Sequence, residues 1–259
     1  MVENPAMEIV TVGTGSCVPT LERSSSSVLI KGAGQVAVVD LGLGALHGLL
    51  RCGVSHTDVD AVLFTHLHID HSCELLPLLF AANYDERPRT KPLTLIGREG
   101  LGEFLDKLTE AYGRWIEPHN YERTVVELAP GEAAALGDLR VRAGDVVHAS
   151  SSLALRVECG SKSVVITGDT GPSPEVEALS RGAGLLICEA ALAEGKEATY
   201  HLNARQAGEL AQGAGVERLA LTHFYPSSDA SADFDPAAAA AETFSGPVVA
   251  AFDGMKFFL

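Results

Sequence analysis

His66-Leu67-His68-Ile69-Asp70-His71 places three imidazoles and a carboxylate within six residues. It follows the apolar run Val59-Asp60-Ala61-Val62-Leu63-Phe64-Thr65 and precedes the helix-like Cys73-Glu74-Leu75-Leu76-Pro77-Leu78-Leu79-Phe80-Ala81-Ala82. Four polar groups at a strand-to-helix junction are costly to bury unpaired, and a bound cation removes that cost. Imidazole with carboxylate suits zinc and its first-row neighbours, whereas magnesium or calcium would draw mostly oxygen ligands. In an extended segment, side-chain alternation points His66, His68 and Asp70 one way, and a turn at Asp70-His71 offers His71 to a second ion. Isolated histidines at strand ends are ordinary; this density in this setting reads as a metal motif.

Outward from the motif, the chain alternates strand and helix signals. Residues 8–12 read as a strand ending in the turn Gly13-Thr14-Gly15-Ser16, and residues 27–31 and 35–40 as a hairpin joined by Gly32-Ala33-Gly34. Asp40 closes that strand before Leu41-Gly42-Leu43-Gly44 and a helical pattern through Leu46, Leu49 and Leu50. A helix is expected over about residues 72–84, with Pro77 close enough to its first turn to be tolerated. Residues 85–92 form a polar loop, read as a solvated connector or the lip of a substrate entrance. Residues 92–96 read as a strand, and 99–112 as an amphipathic helix carrying Leu101, Phe104, Leu105 and Leu108 on one face. Trp115, Ile116, His119 and Tyr121 follow, equally fitting a cover for the site or a satellite packing cluster.

Further strands are expected at residues 124–128, 139–147, 153–157, 163–166, 185–188 and 216–221. Helices are expected at 174–181, from His201 to about 215 with Asn203 as N-cap, and at 237–244. Residues 248–252 and 255–258, joined by Asp253-Gly254, suggest a closing hairpin. No linker or short-period repeat divides residues 1–259, which read as a single domain.

At 259 residues with 46% hydrophobic content, the chain can bury a large core. Its start lacks a basic stretch followed by an apolar one, and no apolar run nears the ~20 residues of a membrane span, so no membrane association is expected and a cytoplasmic location is. Cys17, Cys52, Cys73, Cys159 and Cys188 are odd in number without C-x-x-C spacing, and read as small buried hydrophobes. A net charge of -15 opposes non-specific attraction to a nucleic-acid backbone.

The hexapeptide has the form His-x-His-x-Asp-His, and through it the chain resembles the metallo-β-lactamase superfamily. The resemblance implies an α/β fold, a four-layer αββα sandwich with a dinuclear site at one edge. It places a third metal histidine at His148, in His148-Ala149-Ser150-Ser151-Ser152, and a bridging aspartate at Asp169, in Gly168-Asp169-Thr170. By that correspondence His66, His68 and His148 hold one metal, Asp70, His71 and His223 the second, and Asp169 bridges. Asp40 supports the metal loop without binding metal. His47, His56 and His119 stay unassigned.

Within the superfamily, Gly13-Thr14-Gly15-Ser16-Cys17-Val18-Pro19-Thr20, Glu189-Ala190-Ala191, His201-Leu202-Asn203-Ala204-Arg205-Gln206-Ala207 and Thr222-His223-Phe224 resemble ribonuclease Z. That resemblance implies a phosphodiesterase whose nucleophile is a metal-bridging hydroxide, with His201 as general acid oriented by Glu189 and with Asp70 counted among the catalytic residues. Two divalent ions are implied, zinc first, with Mn2+ or Fe2+ as alternatives; a homodimer is implied too. Two departures bear on the substrate. Only residues 149–168 separate His148 from Asp169, where ribonuclease Z commonly inserts a long tRNA-gripping arm, and Leu41-Gly42-Leu43-Gly44 replaces Gly-Glu-Gly-Thr. Together with the acidic balance, these point away from tRNA and toward small-molecule or short phosphodiester substrates. A hydrolase of carboxylic esters, thioesters or lactones on the same site is the alternative enzyme, and a metal-stabilised, non-catalytic scaffold the alternative of another class.

Overall fold

The computed structural model describes residues 6–149, 152–231 and 234–259. Residues 1–5 of the N-terminal reading, and Ser150 and Ser151 beside His148, lie outside them. The first half of the chain forms β1 (Met7–Gly13), β2 (Ser27–Gly32), β3 (Gln35–Val39), α1 (Ala45–Arg51), β4 (Ala61–Leu63), α2 (Ile69–Ser72), α3 (Leu75–Tyr84), β5 (Leu93–Gly97), α4 (Leu101–Tyr112) and β6 (Arg123–Glu127). The second half forms β7 (Ala133–Leu136), β8 (Leu139–Gly144), β9 (Ala154–Cys159), β10 (Lys162–Ile166), α5 (Pro174–Ser180), β11 (Leu185–Glu189), α6 (Ala204–Ala214), β12 (Leu219–Thr222), α7 (Pro236–Ala241), β13 (Val248–Ala250) and β14 (Met255–Phe258).

Two seven-stranded sheets result, ordered β14-β1-β2-β3-β4-β5-β6 and β13-β12-β11-β10-β9-β8-β7. Strand alternation sorts the apolar residues into three layers of core. Met7, Ile9, Ala37, Val39 and Leu63 face Val141, Leu155, Val164, Ile166 and Ile187 between the sheets. The opposite faces of the same strands turn outward: Val10, Val38 and Val62 pack under α1, α3 and α4, and Val165, Leu186 and Leu221 under α5, α6 and α7. Strands buried on both faces are the continuous apolar runs of the sequence. The expected αββα sandwich is the architecture found.

In each sheet four consecutive strands run parallel: β3 to β6, and β10 to β13. Parallel strands all exit at one edge, where α/β sheets carry their sites. The turn Gly32-Ala33-Gly34 is the expected hairpin, with positive φ at Ala33 and Gly34.

Three local expectations are corrected. The closing hairpin does not form: β13 pairs with β12 and β14 with β1, so Asp253-Gly254 carries the chain from one sheet to the other. Each sheet had an unpaired edge, and filling both outweighs pairing the neighbours with one another. The helix after the hexapeptide is broken at Cys73-Glu74, because Glu74 is used elsewhere: its carboxylate accepts from the backbone N–H groups of Gly44 and Leu46, at 2.7 and 2.6 Å, and so caps α1. An additional strand, β7, pairs with β8 from the alanine-rich 133–136.

The loop at 85–92 is a connector anchored by Arg89, which is fully buried and donates to the carbonyls of His56, Val59 and Pro92. Ile116 and Tyr121 join the outer core, and Trp115 lies against Phe80 and Tyr84, so this segment is a packing cluster. Arg89→Ala would leave three carbonyls short of a donor. We expect it to lower unfolding free energy by about 3 kcal/mol or more, read from urea midpoints, with Arg89→Lys recovering only part of the loss.

Candidate metal centre

The parallel strands bring their exits together. Asp40 follows β3, Thr65 and His66 follow β4, Asp169 follows β10, Glu189 ends β11, and His223 follows β12. The chain leaves β4 extended only as far as His68, whose backbone (φ -60, ψ 153) caps α2. Asp70 and His71 therefore enter from a helical turn, while Ile69 points to solvent. This corrects the expectation that Asp70 shares a direction with His66 and His68: helical winding places it with His71 and His223.

The seven residues singled out in the sequence converge. His66, His68, His148 and Asp169 offer ligand atoms within 4.8 Å of one another, as do Asp70, His71 and His223. His66 Nε2 and His148 Nε2 stand 3.1 and 3.3 Å from His68 Nδ1. His71 Nε2 and His223 Nε2 are 3.3 Å apart, and His223 Nε2 is 3.4 Å from Asp70 Oδ2. Asp169 divides between the groups: Oδ2 lies 3.8 and 3.9 Å from His66 and His148, and Oδ1 lies 3.3 and 3.4 Å from His71 and His223.

Outer partners fix the imidazole tautomers. Asp40 accepts from the Thr65 N–H and Oγ–H and from His71 Nδ1, at 2.7–2.8 Å. Thr65 Oγ1, its proton spent on Asp40, accepts from His66 Nδ1 at 3.0 Å. The Tyr200 carbonyl accepts from His148 Nδ1 at 3.1 Å. Each bond leaves an Nε2 lone pair aimed at the cluster centre. Lone pairs and two carboxylates in so small a volume repel unless a cation sits among them. Asp169 Oδ1, deeply buried, has no hydrogen-bond partner among the described residues, and the donor set fits divalent metal.

Electrostatics point the same way. Burial would keep His71 neutral, yet Asp169 and Asp40 hold its pKa well above the imidazole norm. Burial would raise Asp169, but His223 and His71 hold it well below the carboxylate range. His66 is driven down to about 2 by burial, with His71 adding to the effect. The cluster calls for positive charge beside Asp169.

His201 and Glu189 also meet, with His201 Nδ1 3.0 Å from Glu189 Oε1. Glu189 is buried and further held by the backbone N–H groups of Thr170, Ala191 and Leu202. Burial raises its pKa against the opposing His201 bond. His201 is disfavoured as a cation by burial, but Glu189 raises it overall. Its side chain remains about a quarter exposed, with the ring 5.1 Å from His148 and 6.0 Å from His223. Asn203 begins α6 with the capping box formed with Gln206.

Nothing in the sequence singles out Thr65 or the Tyr200 carbonyl. A threonine before a histidine, or a main-chain oxygen, carries no pattern of its own. Nor does sequence reveal that Asp40 and His223 both adopt φ 59, a left-handed conformation costly for non-glycine residues. Among the unassigned histidines, His47 is exposed, His56 faces Asp85, and His119 meets the Arg114 carbonyl.

A family model described as the beta-lactamase superfamily domain matches residues 38–224. Ribonuclease Z of Mycobacterium marinum is 32% identical, covering 93% of this chain and 95% of its own. Ribonuclease Z of Mycolicibacterium gilvum is 31% identical, covering 92% and 91%. Among solved structures, the metallo-beta-lactamase fold protein YhfI from Bacillus subtilis superposes with a TM-score of 0.84 at 24% identity, covering 98% of this chain and 99% of that one. The short form of human tRNase Z gives 0.78 at 22% identity, covering 96% and 98%; at these identities both speak to the fold. The chain belongs to the metallo-β-lactamase superfamily, as a ribonuclease Z-like, metal-dependent phosphodiesterase.

Proposed function

We propose that this phosphodiesterase acts on small or short phosphodiesters at a two-metal centre. His66, His68 and His148 would hold one divalent ion and Asp70, His71 and His223 the other, with Asp169 placed between the two groups. The observation that carries this reading is the division of the Asp169 oxygens, one toward each histidine group. Five imidazoles favour zinc over harder ions. Bound ions would supply Lewis-acid charge for the phosphoryl group and its attacking water.

The chain's own residues supply positioning and a proton. Glu189 holds His201 by Nδ1, which leaves Nε2 of this partly exposed ring free to protonate the departing oxygen. Asp40 holds Thr65 and His71 in place and thereby orients two ligand-bearing segments. Small substrates are favoured because β9 and β10 join directly at a turn around Gly160, with no arm between His148 and Asp169, and because the chain carries a net charge of -15. Five free cysteines suit a reducing, cytoplasmic setting.

Zinc- or manganese-loaded protein should hydrolyse an aryl phosphodiester and a cyclic nucleotide, lose both activities to chelator, and leave a tRNA precursor intact. Efficient cleavage of the precursor would remove the restriction to small substrates. Turnover of esters or lactones alone would move the reading to carbonyl chemistry. His201→Ala should cost about 10²-fold or more on the cyclic nucleotide, whose alkoxide needs a proton. The loss should be much smaller on the aryl ester, whose phenolate leaves without one; equal losses would count against the general-acid role. Asp40→Ala should weaken metal affinity about 10- to 100-fold, measured by competition with a chromogenic chelator.

A further inference from the structure

We propose that Tyr225 is a substrate-binding residue whose phenol donates a hydrogen bond to a non-bridging oxygen of the phosphodiester. The inference rests on the phosphodiesterase reading and adds to it a residue outside the ligand set and the His201–Glu189 pair. Tyr225 lies two residues beyond His223, with its ring 6.0 Å from that imidazole at a steep 74°. His201 approaches the same imidazole at 6.0 Å, nearly parallel. The proposed acid and the phenol therefore stand against one ligand ring, and the phenol is within electrostatic reach of Asp70 and Asp169.

The phenol is under-used by the fold. Its hydrogen-bond contact among the described residues is Cys17 Sγ, at 3.4 Å, and a thiol is a weak partner. Cys17 is exposed and Tyr225 half-buried, so the pair reaches solvent. A phenol is a neutral donor at neutral pH. An anionic diester entering among Asp70, Asp169 and Glu189 needs donors that do not tie up a carboxylate. Arg23, the cation on the neighbouring loop, is already committed: it pairs with Asp229 through two nitrogens, donates to Thr14 Oγ1 and the Ala251 carbonyl, and lies 4.5 Å over the Phe224 ring.

That commitment fixes the phenol. Between His223 and Asp229 the chain closes on itself: the Tyr225 N–H donates to Ser228 Oγ, and the Tyr225 carbonyl accepts from the N–H groups of Ser228 and Asp229. Asp229 is then locked by Arg23, whose side chain is only 11% exposed. The Gly15 region pairs with Phe224 from the other side. A mostly buried ion pair, a stacked guanidinium and a tight turn together hold the segment that carries the phenol. Such support is what a preorganised binding group requires.

Tyr225→Phe removes the hydroxyl and keeps the ring. On metal-loaded protein it should raise KM for the aryl diester about tenfold with kcat within about threefold, and weaken binding of a non-hydrolysable phosphonate diester about tenfold by calorimetry. Bound metal and melting temperature should match wild type. Cys17→Ala, which removes the phenol's partner within the protein, should change either constant less than about twofold. If Cys17→Ala reproduces the Tyr225→Phe loss, the hydroxyl serves loop packing and the proposal fails. Equal diester binding by wild type and Tyr225→Phe also overturns it, as does an absence of binding to wild type. Absence of diester turnover in wild type, with binding that still depends on the hydroxyl, would overturn the phosphodiesterase reading and leave the Tyr225 contact standing.

Discussion

Asp169 is a carboxylate enclosed by four imidazole nitrogens at 3.3–3.9 Å, and much of the structure follows from keeping it there. The residue before it, Gly168, turns with φ 58, and a Cβ at that position would come within 2.7 Å of the Thr65 side chain. The strand bearing Asp169 therefore approaches the hexapeptide strand more closely than any residue but glycine permits. This close approach across the two sheets lets one carboxylate reach ligands delivered by β4 and by β12.

Around that contact the converging side chains are held by the backbone and by the groups behind them. Asp40 and His223 each adopt a left-handed backbone that costs on the order of 1–3 kcal/mol. The cost is offset where the surrounding bonds over-determine the position: Asp40 fixes both Thr65 and His71, and Thr65 in turn fixes His66. These bonds, with those from the Leu153 N–H to the Thr65 carbonyl and from the Phe224 N–H to the Thr14 carbonyl, hold the two halves of the site against one another.

The segment carrying His201 joins the site by a different route. Gly171 lies so close to the Thr199 carbonyl that a Cβ there would meet it at 1.8 Å, so the loop before α6 docks directly on the turn after Asp169. Docking brings the Tyr200 carbonyl to His148 and His201 to Glu189 at once. The carbonyl that holds His148 and the imidazole that meets Glu189 thus share a single loop, so the two contacts are made together.

The chain by itself determined the layers and the residues of the candidate site. Continuous apolar strands alternating with helices dictate a sheet buried on both faces in each half, and the titratable groups packed into His66–His71, three of them buried, have no low-energy burial other than around a cation. Residues 38–224 carry enough of this pattern for the family to be read from them. Tertiary structure decided what local rules leave degenerate. Asp253-Gly254 satisfies a hairpin or a crossover equally, and the open edges of β12 and β1 selected the crossover. Glu74 suits a helix interior, and the unpaired N–H groups at the start of α1 drew it out of one. Asp70 lies in the same hexapeptide as His66, and helical winding from Ile69 sent it to the other histidine group. Thr65, the Tyr200 carbonyl and the Tyr225 phenol gain their roles only from distances between segments far apart in the chain, and a linear pattern does not contain those distances.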